Sequence, residues 1–162
     1  MEEQISKFIS FMQNEEKKSA NTCQSYFRDL RQMADWISGS FGINDPDAYS
    51  ASNLNEYREY LEKAGKSPAT ISRFVASARS FFDYCIRQGY AHHDPTEGLK
   101  APKVIKKRPS VLTEAETVKL LSMPDDDSKG IRDKAMLELM SDTGLRVSEL
   151  LGLTLADVDL AK

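Results

Sequence analysis

The stretch from Ser67 to Gly89 carries the clearest apolar period in the chain, and it limits the possible folds more than any other feature. Apolar side chains recur there every three or four residues, as they do on one face of an α-helix. Ser67 is a favourable N-cap, Pro68 suits the first helical position, and Gly89 suits a helix end. The pattern predicts a helix of about four turns packed on a core. Its predicted buried face consists of Ile71, Phe74, Val75, Ala78, Phe82, Cys85 and Ile86.

The other apolar segments also repeat at helical spacing, and no stretch alternates convincingly with the period of a β-strand. Three further helices are predicted before Ser67, over residues 2–15, 19–38 and 53–64. Four amphipathic helices are enough for a bundle packed around one core. We therefore predict an all-α chain whose first domain, residues 1–98, is a four-helix bundle.

Residues 99–112, LKAPKVIKKRPSVL, are predicted to be an extended basic linker. Pro102 and Pro109 prevent a continuous helix and push the residues before them toward extended conformations. The segment contains no acid, and its cations are Lys100, Lys103, Lys106, Lys107 and Arg108. Such a strap suits a chain that lies along phosphates. A solubilising interdomain linker is the alternative interpretation.

Residues 113–162 are predicted to be mostly helical. Thr113 and Glu116 have the spacing of a capping box, and another helix is expected over residues 130–142. Gly144 then closes that helix, and a new one begins close to Arg146. A cation at a helix N-terminus is unfavourable by about 0.3–1 kcal/mol, which suggests that Arg146 serves an anionic partner and that Glu149 orients it. The alternative is an ordinary surface Arg–Glu pair.

Charge and composition exclude several classes of protein. The net charge of −3 is mildly unfavourable for a nucleic-acid partner, but the acidic excess lies after residue 112 and the basic excess lies in the linker. No apolar run approaches the ~20 residues needed to span a bilayer, and no secretory signal is present, so we expect a cytoplasmic protein without a membrane partner.

Cys23 and Cys85 are predicted to be buried thiols. His92 and His93 lack metal-ligand spacing, so neither a metal nor a cofactor is expected.

The segment TGLRVSELLGL, residues 143–153, resembles the first catalytic box of the tyrosine recombinases, also called the phage integrase family. The nearest branch is that of the bacterial Xer recombinases. The resemblance continues, in the family's order and spacing, through SANTCQSYFRDL, SPATISRFVASARSFFDYC, DPTEGLKAPK, VLTEAETVKLL and IRDKAMLELMSDTGLR. It implies that residues 1–98 form a SAM-like core-binding domain, which binds DNA. Residues 113–162 would then be the incomplete start of a catalytic domain.

The resemblance also implies a chemistry for the complete enzyme, which would cut and rejoin DNA strands through a covalent tyrosyl-phosphate intermediate. Arg146 would bind the scissile phosphate and Glu149 would support the active site. No Tyr follows Arg146 in this sequence, and the family's downstream Lys, His-x-x-Arg and His or Trp are also absent from it. We therefore expect this chain to bind DNA without transferring strands by itself. Ser141 and Asp142 depart from the family pattern and add a negative charge near the phosphate site.

The polar faces of the second and fourth helices are expected to enter the major groove, by resemblance to the family and by helical geometry. The expected contacts are Thr22, Gln24, Ser25, Arg28, Arg73, Ser77 and Ser80. Lys103, Lys106, Lys107 and Arg108 of the linker would follow the phosphates. The expected partners are a double-stranded recombination half-site and other recombinase protomers. Self-association of this chain through uncovered apolar faces of residues 113–162 is also expected.

Two other functions remain open at this point. The first is a non-catalytic DNA-binding regulator built on the recombinase bundle, and the second is a helical protein-interaction module. Binding to duplex DNA at low salt separates the module from the two DNA-binding alternatives. The sequence leaves open whether the biological role is DNA integration or chromosome partition.

The linker makes a prediction that salt titration can check. Replacing Lys103, Lys106, Lys107 and Arg108 by Gln should weaken binding to all duplexes alike, because phosphate contacts carry no sequence information. The slope of log K against log salt should fall by roughly 0.9 for each phosphate that the linker no longer neutralises. An unchanged slope would mean that the linker is only a spacer.

Overall fold

A computed structural model describes residues 1–105 and 109–158 of the chain. It divides into two compact units, Met1–Lys106 and Lys107–Lys162. The described residues form helices, turns and extended segments without any β-strand, and the all-α prediction is confirmed. Of the predicted DNA contacts, Lys106, Lys107 and Arg108 lie outside the described residues.

The first unit contains four helices, which we number α1 to α4 in chain order. They span Glu2–Asn14, Ala20–Phe41, Ala51–Lys63 and Pro68–Arg87. A short 3₁₀ turn, Pro46–Ala48, lies between α2 and α3. Ser19, Ser50 and Ser67 begin the last three helices, since each hydroxyl accepts a hydrogen bond from the backbone N–H three residues later.

Helix α4 packs against most of the rest of the first unit. The ring of Phe81 meets Phe8 of α1 edge-on at 5.6 Å, and Phe74 meets Tyr57 of α3 at 5.0 Å. Phe82 lies 5.6 Å from Tyr49, which follows the 3₁₀ turn. These aromatic contacts lock α4 against its neighbours and fix the direction of its side chains. The largest fully buried side chains are Tyr49, Phe8, Phe74, Phe81, Phe82, Ile5, Met12, Leu30, Met33, Ile37, Leu54 and Leu99.

Two helix ends predicted in the first unit were wrong by two residues or more. Helix α2 continues past residue 38 to Phe41, because Gly39 lies within the helix and Gly42 adopts the left-handed conformation, with φ of 70°. Helix α3 begins at Ala51 rather than at residue 53, because Ser50 and Asn53 form a capping box there.

The predicted faces of α4 also need correction. Ser77 is fully buried and its hydroxyl donates a hydrogen bond to the carbonyl of Phe74, although its polarity predicts a place on the polar face. Tyr84, which the predicted buried face does not include, is buried beside the rings of Phe8 and Phe11. Ile86, predicted in the core, is 39% exposed. A helix packed on several sides buries more than one stripe, which the period alone does not reveal.

The packed part of the first unit extends to the start of the linker. Leu99 is completely buried, and its carbonyl accepts a hydrogen bond of 2.6 Å from Nη2 of Arg79 on α4. Lys100 and Lys103 follow as exposed residues. The point from which the basic linker departs is therefore fixed on the surface of the bundle.

The second unit contains three helices in its described residues. They are α5, Glu114–Leu121, then α6, Ser128–Thr143, and the single turn α7, Val147–Leu150. The predicted capping box of Thr113 and Glu116 is present, and Gly144 ends α6 with φ of 70°. A second 3₁₀ turn spans Leu155–Asp157. None of the described apolar side chains in this unit is fully buried, in contrast to the first unit.

Within residues 1–105 and 109–158, no helix is both long and apolar enough to cross a membrane. The same residues contain no cluster of side chains suited to hold a metal ion.

Cys23 and Cys85 are buried free thiols that do not form a disulfide, and burial raises the pKa of the Cys85 thiol to about 12.

Gly130 allows a close backbone contact inside the second unit. A Cβ at this position would lie 1.9 Å from the carbonyl oxygen of Asp125. We expect Gly130→Ala to destabilise the loop and the start of α6 by about 1–3 kcal/mol, because backbone must move to make room. Gly39→Ala is the matched control, since nothing lies within 4 Å of its added Cβ. Amide exchange in α6 should rise for the first variant only, and unchanged exchange would contradict the close approach.

The exposed apolar side chains of the second unit predict self-association. Ile131 is 63% exposed, Leu151 is 71% exposed and Val118 is 63% exposed. Sedimentation velocity at micromolar concentration should therefore detect a species larger than the monomer. Replacing Val118 and Leu151 by Gln should reduce it, whereas Tyr60→Ser in the first unit should not. A monomer with one cooperative unfolding transition would instead indicate that these faces are covered within the chain.

Candidate nucleic-acid interface

The candidate interface is built on an ion pair between α2 and α4. Nε of Arg73 donates to Oδ2 of Asp29 at 2.7 Å, and Nη2 donates to Oδ1 at 2.9 Å. The side chain of Asp29 is only 6% exposed, whereas that of Arg73 is 41% exposed. The hydrogen bond with Asp29 raises the pKa of Arg73 above its already high ordinary value, so the guanidinium stays charged.

The pair borders a small surface hollow of about 140 Å³ between the helices. Three cations from different parts of the first unit line it, namely Arg28, Lys66 and Arg73. Neither Arg28 nor Lys66 forms an ion pair with any other described residue. The remaining lining residues are Asp29, Gln32, Tyr57, Leu61, Thr70 and Phe74. With three cations and one carboxylate, the lining has a net positive charge, which is suited to a polyanion.

Tyr57 of α3 also lines this hollow. Burial raises the pKa of Tyr57, and the nearby Asp29 carboxylate raises it further. A phenol is already protonated at neutral pH, and the raised pKa keeps it so in more alkaline solution, so Tyr57 can act as a hydrogen-bond donor. Its ring also packs on Phe74, so the wall of the hollow is anchored in the core.

The other predicted contacts on α2 have different surroundings. Thr22 is half-buried, and it belongs to the N-cap of α2, since its hydroxyl lies 2.9 Å from that of Ser19. Gln24 is exposed but lines a separate hollow beside α1, with Ile9 and Gln13 among its neighbours. Ser25 is half-buried. The structure thus brings only Arg28 of this predicted group to the hollow at Arg73.

The remaining predicted contacts on α4 and in the linker differ in how accessible they are. Ser80 is half-buried, whereas Ser77 is fully buried and therefore unavailable for a contact in this conformation. Lys103 is exposed in the linker. The predicted polar face of α4 is therefore narrower than the sequence suggested.

The sequence predicted only Arg28 and Arg73 among the residues that line the hollow. It missed the polar members Asp29, Gln32, Tyr57, Lys66 and Thr70. Thr70 precedes Arg73 by three residues and Gln32 follows Arg28 by four, so helical spacing could have identified both. Nothing local identifies Asp29, because its partner is 44 residues away in the chain.

The second unit contains the other predicted site. Arg146 is the N-cap of α7 rather than a residue of its first turn, and its Nη1 donates to Oε1 of Glu149 at 3.0 Å. The backbone N–H of Arg146 donates to Oε2 of Glu149 at 2.7 Å. Glu149 therefore links to both the backbone and the guanidinium of Arg146, as is expected of an orienting residue. The Arg146 side chain is 81% exposed.

Comparison with known protein families identifies both units. Residues 5–89 match the N-terminal SAM-like domain of phage integrases, and residues 110–162 match the phage integrase family. The chain belongs to the phage integrase family. The resemblance to tyrosine recombinases noted in the sequence is thereby confirmed.

Curated relatives of this integrase-family chain are tyrosine recombinases. It is 38% identical over 161 residues to tyrosine recombinase XerD of Listeria innocua, which covers 99% of the chain and 54% of the relative. It is 40% identical over 158 residues to a putative tyrosine recombinase of Caldanaerobacter subterraneus, at 97% and 54% coverage. XerD of Staphylococcus aureus is 40% identical over 161 residues. The chain spans about half the length of the curated relatives it matches.

A solved structure supports the fold. The integrase of transposon Tn1549, determined in complex with circular intermediate DNA, matches with a TM-score of 0.66. The alignment covers 98% of this chain and 51% of the integrase chain, at 22% sequence identity. At that identity the match establishes the fold and not the ligand.

Proposed function

We propose that this chain is the DNA-binding part of a Xer-like tyrosine recombinase and that the junction of α2 and α4 docks on duplex DNA. The observation that carries the proposal is the hollow in which Arg28, Lys66 and Arg73 converge. These cations come together in a chain whose net charge is negative, so overall charge does not explain them. Local convergence of cations is the arrangement that binding to phosphates requires.

The domain organisation proposed from the sequence fits this function. Residues 1–98 would bind DNA, residues 99–112 would follow the backbone as a basic strap, and residues 113–162 would begin the catalytic domain. Thr22, Gln24, Ser25, Ser80 and Lys103 are proposed as peripheral contacts around the hollow. Ser77 is not proposed as a contact, because its side chain is buried.

Arg146 and Glu149 are proposed as catalytic residues of the complete enzyme. A guanidinium can donate two parallel hydrogen bonds to the non-bridging oxygens of a phosphate and stabilise the charge that develops during phosphoryl transfer. Glu149 already engages one end of Arg146 through Nη1, which restricts the orientation of the remaining donors. In the complete enzyme the nucleophile would be a tyrosine that this sequence does not contain after Arg146. Its oxygen would form a bond to the scissile phosphorus as one bridging P–O bond of the DNA strand breaks, and the departing deoxyribose oxygen would take up a proton.

The proposed partners follow from the same reasoning. They are a recombination half-site in duplex DNA and further recombinase protomers, and the proposed compartment is the cytoplasm. The relatives named XerD, which are tyrosine recombinases by name, support this set. Copies of this chain are also proposed to associate through the exposed apolar side chains of the second unit.

Salt-dependent binding of the 162-residue chain to duplex DNA tests the proposal. Arg28→Gln should weaken binding and lower the salt slope by about 0.9, because the variant neutralises one phosphate fewer. Arg31→Gln is the matched control on the same helix. Arg31 lies 4.0 Å from Glu2 and borders a different hollow, near Met1 and Asn44.

Comparing the salt slopes of Arg28→Gln and Arg31→Gln shows whether the effect is local to the hollow. A lower slope for Arg28→Gln with an unchanged slope for Arg31→Gln supports the α2–α4 junction as the interface. Equal effects of both substitutions would indicate a diffuse charge effect and contradict the proposed interface. Absence of duplex binding at low salt would reject DNA binding itself.

A further inference from the structure

We infer that Asp29 is a positioning residue that orients Arg73 for bidentate recognition of a guanine in the major groove. This inference rests on the proposed DNA-binding function and deepens it, since it names one base and the residue that selects for it. Asp29 itself would not touch the DNA. Its role would be exerted through the guanidinium of Arg73.

The geometry of the pair is that of a fixed guanidinium. Both carboxylate oxygens of Asp29 accept from one edge of Arg73, through Nε at 2.7 Å and Nη2 at 2.9 Å. A buried carboxylate is costly without a charged partner, so Asp29 requires Arg73 in the folded protein. The pair also joins residues that are 44 positions apart in the chain. The orientation of Arg73 is therefore set by the packing of α2 against α4.

The donors that remain on Arg73 match one base edge. A guanidinium carries five N–H groups in a planar fork, and the Nε–Nη2 edge is already occupied. Three hydrogens remain, and two of them, one on Nη1 and one on Nη2, point outward in parallel at the far end of the group. Two parallel donors fit the O6 and N7 acceptors of guanine. Adenine presents an acceptor beside a donor, and thymine presents a single acceptor beside a methyl group, so neither satisfies both donors.

The charge of the pair favours a base over a phosphate as the ligand. The Asp29 carboxylate compensates the charge of Arg73, which weakens its attraction for a phosphate. Hydrogen bonds to a base edge depend on donor geometry, which the same carboxylate improves by reducing the conformational freedom of the side chain. Arg28 and Lys66 have no such partner among the described residues, so they are the better phosphate ligands in this hollow.

An ion pair that only held α2 and α4 together would be expected to have a different exposure of its two side chains. An ion pair that serves packing alone has no need to present one partner at the surface. Here Asp29 is 6% exposed while 41% of the Arg73 side chain remains accessible. The carboxylate is thus placed beneath the surface and the guanidinium is presented at it. This asymmetry is the observation that a positioning role explains.

The test begins with selection of a preferred half-site from a pool of random duplexes by the 162-residue chain. Each guanine of that site is then replaced by 7-deazaguanine, which lacks the N7 acceptor. One guanine should stand out, with affinity reduced by about ten-fold to a hundred-fold. Arg73→Lys, which keeps the charge but lacks the planar fork, should distinguish guanine from 7-deazaguanine less well at that position than the wild-type chain does.

Asp29→Asn is the decisive variant, because it keeps the size of the side chain and removes one of the two acceptors. We expect it to lose the preference at the same guanine while the salt slope does not fall, because the variant loses no cation. Adding Asp29→Asn to Arg73→Lys should cause no further loss of preference, since both act on one interaction. Asp35→Asn, an exposed acid on the same helix, is the matched control and should retain the preference.

Each result decides the inference. A helical Asp29→Asn protein that still prefers the same guanine overturns the positioning role. Insensitivity of the wild-type chain to every 7-deazaguanine overturns the guanine contact while leaving DNA binding in place. Should Asp29→Asn not fold, Asp29→Glu replaces it, since it keeps the charge but displaces the guanidinium, and an undiminished preference in that variant overturns the inference. Failure of the wild-type chain to bind any duplex rejects the proposed function and the inference together.

Discussion

The packing of α4 against the remainder of the first unit is the constraint on which the other features depend. Its aromatic side chains contact α1 through Phe8 and α3 through Tyr57, so the helix cannot rotate without breaking contacts on two sides. Arg73 lies one residue before Phe74, which meets Tyr57. The core therefore determines where the guanidinium emerges, and the ion pair with Asp29 determines how it is oriented. A site placed on such a rigid element keeps its geometry better than one placed on a loop.

The helices could be predicted well from the sequence because caps and apolar periods are local features. Ser67 with Pro68, and Thr113 with Glu116, both begin helices where their spacing indicated. Predictions failed where long-range packing decides the outcome. Ser77 is polar and therefore predicted at the surface, although a small side chain fits a crowded contact and satisfies its hydroxyl within the helix. The Asp29–Arg73 pair has no local signature at all, so no pattern within one helix could have indicated it.

The two candidate arginines share one physical arrangement but differ in range and exposure. Arg146 is linked to Glu149 within a single helical turn, and its side chain is 81% exposed. Such a pair contributes little to stability and is identifiable from the sequence. Arg73 is linked across two helices to a buried acid, so its orientation depends on the fold. In both cases a carboxylate occupies part of the guanidinium and leaves other donors available to an anion or a base.

Side-chain NMR of the arginine Nε–H groups, recorded while duplex DNA is added, can show whether the hollow at the junction of α2 and α4 is the surface that meets the duplex. If it is, the signals of Arg28 and Arg73 should change on binding, and the signal of Arg31, on the same helix as Arg28, should not. Changes confined to Arg31 and to residues of α1, with Arg28 and Arg73 unaffected, would contradict the proposed interface.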